Sequence, residues 1–334
     1  MNMKKVISFI VLIGILGYLA IHKDNRSYMQ PDNGTITLKM NQVSSEKGAI
    51  GQAMEKFAEL IHERTNGRYT INTFHNGQLG GERDSLENAQ MGIIDLTVVN
   101  QSVLANFIPD ISALDIPYMI TSKEHADNIF LGDIGEHYLK ELDKVGLKGL
   151  SIWESGFRNL TNSKRAINKV EDVHTLRIRT MENKIHQEFW RTLHTDPVPM
   201  AWSEAYTAMQ QGAIDGQENP ILVILTNNVG LVNKHLAITE HVYSTVFIIM
   251  SPKLWAHLSH EDRKIFTDTA KEVAIYERKI NRSLEEDALN KLKETGVLVT
   301  YPDKEGFIKM SELFRNSFQS KYFEMFKRIE KAKP

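Results

Sequence analysis

The 334-residue sequence contains no cysteine. This absence excludes disulfide bonds, thiolate metal sites, a cysteine nucleophile and a lipid-modified cysteine in this chain. The 40 basic and 42 acidic residues give a net charge of −2, so the chain lacks the basic surplus of a nucleic-acid-binding protein. No Gly-x-Ser-x-Gly, phosphate-loop or His-Glu-x-x-His pattern occurs, and the 12 histidines are scattered. We therefore expect no nucleic-acid partner, no metal site and no cofactor.

The N-terminus carries an export pattern. A basic start, MNMKK, precedes an apolar stretch over residues 6–21 that is short for a membrane span and typical of a signal peptide. Tyr18 stands at the −3 position of a cleavage after Ala20, where a small residue is expected. The sequence thus predicts a signal peptide or an uncleaved N-terminal anchor over residues 1–21 and a polar linker over residues 22–34. Both alternatives place the protein in the periplasm.

The remainder predicts an α/β fold, because alternating or apolar runs typical of strands are separated by helical patterns. Its composition, 42% apolar and 25% charged, is that of a globular protein, and its length allows two domains. A helical pattern over residues 261–295 contains neither glycine nor proline before Gly296. Thirty-five residues at 1.5 Å each give a helix of about 50 Å, so we expect it to span two lobes.

The segment over residues 195–220, TDPVPMAWSEAYTAMQQGAIDGQENP, is the most informative part of the sequence. Its two early prolines predict an extended entry into a helix capped by Ser203. The helix should end at Gly212, followed by a short apolar–acidic step and a polar strand end. The same order of glycine, apolar residue, aspartate and asparagine occurs from Gly92 to Asn100. This internal similarity predicts two similar lobes that each end a strand in an asparagine.

Six motifs in order carry a family resemblance. They are LGGER at residues 79–83, GIIDLT at 92–97, GFRNLTNS at 156–163, LRIR at 176–179, PMAWSEAY at 199–206 and DGQENP at 215–220. Together they resemble the DctP-type solute-binding subunit of tripartite ATP-independent periplasmic (TRAP) transporters, over about residues 35–326. The resemblance implies a two-lobed α/β fold like that of periplasmic binding proteins, with the long helix spanning both lobes.

The resemblance also implies the lobe boundaries. Lobe I is expected over residues 35–155, with parts of about 245–284 and of the C-terminal region. Lobe II is expected over residues 156–244, with part of the region after 285.

Seven ligand contacts follow from the resemblance. Arg179 is expected to hold a ligand carboxylate, with Arg158 as its helper and Asn219 as a second contact to the same group. Trp202 stands where the family places an aromatic wall. On lobe I, the distal end of the ligand is expected to meet polar side chains. These are Glu82 and Asn100, with Glu154 as an additional polar contact.

The polar and aromatic contacts favour a sugar acid, a uronate or an aldonate, as the ligand. Relatives that bind sialic acid carry a glutamate where this chain has Asn100, which argues against sialic acid. A C4-dicarboxylate or an oxo acid stays open. We expect a monomeric, non-enzymatic receptor that delivers a small organic acid to a TRAP permease. Two other classes stay open: a periplasmic lyase or isomerase with Glu82 or Glu154 as its base, and a membrane-anchored interaction protein.

Overall fold

The structure is a computed structural model that describes residues 34–318 and 321–334. The signal peptide or anchor predicted over residues 1–21 lies outside the described residues, as does the linker except for Gly34. In the described ranges no helix is both long enough and apolar enough to span a bilayer.

A single path of paired strands forms the centre of the molecule. Its order is β2-β1-β3-β9-β4-β7-β5-β6, and β8 and β10 extend it from β4. The strands within the described residues are β1 (Ile36–Asn41), β2 (Tyr69–Phe74), β3 (Leu96–Asn100), β4 (Lys148–Asn162), β5 (Arg177–Thr180), β6 (Asp196–Pro199), β7 (Gly216–Pro220), β8 (His235–Ala237), β9 (Tyr243–Met250) and β10 (Leu298–Thr300). β1 and β3 are parallel, and β5 is parallel to β6 and β7, whereas β4 is antiparallel to β7 and β9.

Helices cover the sheet. Those described are α1 (Ala49–Arg64), α2 (Glu82–Met91), α3 (Gln101–Leu104), α4 (Lys123–Phe130), α5 (Asp133–Lys144), α6 (Lys184–Thr192), α7 (Trp202–Gln210), α8 (Ile221–Thr226), α9 (Pro252–His257), α10 (His260–Glu294), α11 (Lys304–Phe318) and α12 (Phe323–Lys331). One hydrophobic cluster packs α4, α5, α6, α11 and α12 against β4 and β9. A second packs α8 and the C-terminal part of α10 against β8.

β4 belongs to both halves of the sheet. Its first part pairs with β9, and its last five residues pair with β7, so one strand connects the two halves. The register shifts between Glu154 and Gly156. Gly156 has φ +107°, a conformation that residues with a Cβ rarely adopt. A shift of this kind disrupts the pairing locally, and the positive φ explains why a glycine stands there.

The long helix α10 confirms the prediction for residues 261–295 to within one residue at each end. The hydroxyl of Ser259 accepts the Asp262 backbone N–H and caps its first turn. The helix packs against α1, β4 and α8 along its length. It therefore contacts both halves of the molecule.

The internal similarity in the sequence corresponds to one local structure built twice. Gly92 caps the C-terminal end of α2 with φ +70°. Gly212, two residues after the end of α7, has nearly the same φ, +69°. Asp95 then accepts the backbone N–H of Lys39 at 2.8 Å. Asp215 does the same with Arg177 at 2.9 Å. In both cases the aspartate fixes the start of a strand beside its parallel neighbour. The exact lobe boundaries stay a prediction.

Candidate functional site

Two adjoining cavities, of about 200 Å³ and about 40 Å³, share four lining residues. These are Glu82, Arg179, Met181 and Trp202. The smaller cavity brings together six of the seven residues predicted from the sequence: Glu82, Asn100, Arg158, Arg179, Trp202 and Asn219. They come from β3, β4, β5, β7 and the first turns of α2 and α7.

Arg179 is a buried cation held from one side. Its Nε and Nη2 donate to the carbonyl oxygen of Met200 at 3.0 and 2.8 Å. Its guanidinium carbon lies 5.4 Å from the ring centroid of Trp202, a cation–π distance. Burial and the neighbouring Arg158 lower the pKa of Arg179 to about 10, so it stays protonated at neutral pH. Within the described residues Nη1 has no hydrogen-bond partner, which leaves it for an anion.

Trp202 is the first residue of α7, and Ala201 is the N-cap. The prediction that Ser203 caps this helix was wrong, because the helix begins one residue before it. β6 pairs with β5 through residues 196–199. The chain then passes through Met200 directly into α7, which brings the Met200 carbonyl and the Trp202 ring to the same guanidinium.

Arg158 is already paired within the protein. Its Nε donates to Glu218 Oε2, and its Nη2 donates to Glu218 Oε1 at 3.0 Å and to the Glu218 carbonyl at 2.6 Å. Both side chains are fully buried. Burial opposes ionisation of Glu218, but Arg158 and two histidines hold its pKa well below the usual range. The charge of Arg158 is therefore balanced, and its capacity for a ligand is smaller than the sequence suggested.

Two buried histidines continue this network. His241 Nε2 lies 3.1 Å from Glu218 Oε2, and burial lowers the pKa of His241. His186 has the carboxylates of Asp115 and Glu218 at 3.5 and 3.6 Å from its two ring nitrogens. Burial alone would lower the pKa of His186, but the two carboxylates outweigh it and raise the pKa to about 8.

Glu82 and Asn100 are linked to each other by a hydrogen bond. Glu82 Oε1 accepts the backbone N–H of Asn100 at 2.7 Å. Burial raises the pKa of Glu82, while the Asn100 N–H and the two arginines oppose the rise. The Asn100 side chain caps α3 by accepting the Ser102 N–H and donates to Ser244 at 2.8 Å. Most of its hydrogen-bonding capacity is therefore structural.

Glu154 is the one predicted site residue that does not line either cavity. It lies fully buried against α10, where Arg282 donates to its two carboxylate oxygens at 2.7 to 3.2 Å. Asn281 also donates to it at 3.2 Å. Its role as a ligand contact is corrected to that of a structural ion-pair partner. The cause is the register shift at Gly156: the sequence shows that Glu154 is near Arg158 but not which face it occupies.

Glu218, Ser244 and the Met200 carbonyl contact the two arginines of the site, and sequence reasoning missed all three. Glu218 lies inside the DGQENP motif, but its arginine partner is 60 positions away. Ser244 accepts hydrogen bonds from Asn100 and from Arg158 Nη1, at 2.8 and 3.3 Å, in an apolar strand that gives no sign of a site. Among the described residues, no group of three or more His, Cys, Asp or Glu could hold a metal ion.

Residues 40–322 match the family described as "DctP: Bacterial extracellular solute-binding protein, family 7". The chain belongs to this family. A solute-binding protein from Verminephrobacter eiseniae is 39% identical over 247 residues, which are 74% of this chain and 72% of the relative. The resemblance to TRAP solute-binding subunits is thereby confirmed.

Two solved structures of TRAP periplasmic solute-binding proteins share the fold. One, from Polaromonas and bound to D-erythronate, is 37% identical with a TM-score of 0.87 and covers 89% of this chain and 99% of its own. The other, from Bordetella with density assigned to pantoate, is 34% identical with the same TM-score and coverage. The two-lobed α/β fold with a lobe-spanning helix is confirmed. The protein is a solute receptor of the TRAP type, not an enzyme, and its family is extracytoplasmic.

Proposed function

We propose that this protein captures a small hydroxylated monocarboxylic acid, a sugar acid such as an aldonate or uronate, in the periplasm and delivers it to a TRAP permease. The observation that carries the proposal is the difference in direct partners between the two arginines of the cavity. Arg158 is neutralised by Glu218, whereas Arg179 has only a carbonyl and an aromatic ring as partners. Among the described residues no carboxylate forms an ion pair with Arg179, although Glu218 and Glu82 act on its charge through space. One buried guanidinium with Nη1 free of hydrogen bonds suits one ligand carboxylate.

Glu82 and Asn100 are expected to meet hydroxyl groups at the other end of the ligand. Glu82 and Asn100 line the smaller cavity, and a carboxylate accepts hydrogen bonds from hydroxyls. A second ligand carboxylate at this end would meet Glu82 at close range. Like charges in a buried site repel each other strongly, and the lining residues of the two cavities include no lysine and no arginine other than Arg83, Arg158 and Arg179. Arg83 is exposed and pairs with Glu87.

The two solved relatives support the same ligand class. D-erythronate and pantoate are both hydroxylated monocarboxylates with a four-carbon main chain. Trp202 offers a flat apolar surface for such a carbon chain. We also expect a monomer that acts together with the membrane subunits of the transporter.

Titration calorimetry with a matched pair of acids tests the proposal. D-erythronate and meso-tartrate differ only in the oxidation of C4 from a hydroxymethyl group to a second carboxylate. We expect D-erythronate, or D-glucuronate as the larger alternative, to bind with a micromolar or lower Kd. Meso-tartrate should bind about a hundredfold more weakly, on the scale of 1.4 kcal/mol per factor of ten. Equal or tighter binding of meso-tartrate or succinate would contradict the monocarboxylate assignment. Turnover of a bound acid would contradict a pure receptor.

A further inference from the structure

A chain of amide and hydroxyl groups runs from the cavity into lobe II. Asn219, which lines the cavity, donates from Nδ2 to Gln217 Oε1 at 2.6 Å. Gln217 in turn donates from Nε2 to Thr161 Oγ1 at 2.8 Å. Asn233 donates to the same hydroxyl oxygen at 3.1 Å. All four side chains are buried, Gln217 and Thr161 completely.

The donor-to-acceptor direction of these hydrogen bonds is set at Thr161. Thr161 donates its only hydroxyl hydrogen to the backbone carbonyl oxygen of Gln217 at 3.2 Å. With that hydrogen donated, the hydroxyl oxygen can only accept at its lone pairs, so Gln217 presents its NH₂ group to it. Gln217 then has its Oε1 on the side of Asn219. Because Oε1 can only accept, Asn219 must turn Nδ2 toward Gln217.

The consequence reaches the cavity. An asparagine amide has two donor hydrogens and one acceptor oxygen, and the two ends can exchange by a flip of the amide. With one Nδ2 hydrogen used by Gln217, the second hydrogen and Oδ1 make no hydrogen bond within the described part of the chain. A carboxylate accepts hydrogen bonds and does not donate them. Recognition of a carboxylate therefore depends on which end of the amide lies beside it.

We propose that Gln217 is a positioning residue for ligand binding: held by Thr161, it fixes the amide of Asn219 with Nδ2 available to the ligand carboxylate. Gln217 itself does not line the cavity and acts only through Asn219. The inference rests on the proposed function in one respect, the presence of a carboxylate next to Asn219.

A double-mutant cycle tests the coupling. We expect Gln217→Met, which keeps the side-chain volume but not the hydrogen bonds, to raise the Kd for D-erythronate about tenfold, the usual size for one charge-assisted hydrogen bond. In an Asn219→Ala background the same substitution should change Kd less than twofold, because the group it positions is gone. An equal effect in both backgrounds, or no effect in either, would overturn the proposal.

Thr161 provides the second arm. Thr161→Val removes the hydroxyl at constant shape and should weaken binding severalfold, whereas Thr161→Ser keeps the hydroxyl and should recover most of the affinity. Ser163→Ala is the matched control, because Ser163 donates to the nearby Asp215 carbonyl and makes no hydrogen bond to Asn219, Gln217, Thr161 or Asn233. Equal affinity of the valine and serine variants would contradict the assigned direction.

A measurement without ligand separates this inference from the proposed function. The side-chain NH₂ signals of Asn219, assigned by their loss in Asn219→Ala, should shift and broaden in Gln217→Met and stay unchanged in Ser163→Ala. If no acid binds the wild type while these signals respond as expected, the proposed ligand class is wrong and the positioning is upheld. If the acid binds and the signals do not respond, the positioning is wrong.

Discussion

Replacement of Arg179 is the most direct test of the binding site. Removal of one partner of a buried charge pair costs about 2–5 kcal/mol. We therefore expect Arg179→Ala to weaken acid binding by about 30-fold to several thousandfold. Arg179→Lys should restore only part of the affinity, because an ammonium group lacks the planar fork that donates to Met200 and a carboxylate together.

The free protein should respond differently. Burial and Arg158 both disfavour the charge of Arg179 when no anion is present, as its lowered pKa shows. Arg179→Ala should therefore leave the melting temperature of the empty protein unchanged or higher, and abolish the rise that a ligand produces in wild type. Calorimetric titration and thermal unfolding measure the two effects separately.

The matched control is Arg177 on the same strand. Arg177→Ala makes the same change in net charge but removes a half-exposed side chain that pairs with Asp215 and donates to the Gly212 carbonyl. We expect its Kd to equal that of wild type. If Arg177→Ala and Arg179→Ala weaken binding equally, the effect is a general one of charge and the assignment of Arg179 is refuted. Unchanged affinity in Arg179→Ala refutes it as well.

Three further predictions concern the parts of the fold that support the site. Glu154→Gln should lower the melting temperature and leave Kd unchanged, since Glu154 pairs with Arg282; a large change in Kd would restore it as a ligand contact. Gly156→Ala should destabilise the protein by about 1–3 kcal/mol through its φ of +107°. Gly146→Ala should cost less, because Gly146 has φ +71° in the left-handed region and open space around an added Cβ. Urea unfolding compares the two variants, and equal costs would contradict a special role for the register shift. His186, with a pKa raised to about 8, contributes stability that is fully present below about pH 6.5 and lost as the pH rises through 8. Unfolding free energies should thus fall across this range, and the slope should be smaller in His186→Gln; identical slopes would argue against it.

Much of the fold was readable because its signals are local. The caps, the glycine ends and the uninterrupted helical pattern predicted α10 to within one residue. The paired Gly-to-Asn segments predicted two similar units, and both build the same Asp-to-backbone contact. Each of these features depends on residues close together along the chain, where backbone sterics and periodicity act directly.

The sequence predicted most members of the candidate site but not the residues with which they pair. The motifs and the family resemblance indicated Arg179, Asn219 and Trp202, and the structure brings these three to one cavity. Arg158 was also identified, but its charge is balanced by Glu218, across 60 positions of sequence. An ion pair between distant strands depends on register, which no local pattern of this chain specifies.

Local sequence patterns specified the element types, the two repeated strand ends, the long helix and the set of polar side chains at the strand ends. Contacts between distant strands and helices determine which of those side chains share a cavity and which have their charge balanced by an ion-pair partner. A shift of register at Gly156 places Glu154 against α10 and leaves Arg158 beside the cavity. The pairing of β4 with β7 joins Arg158 to Glu218. The physical reason is that burial and pairing set the effective charge of a group, and both arise only when distant strands come together.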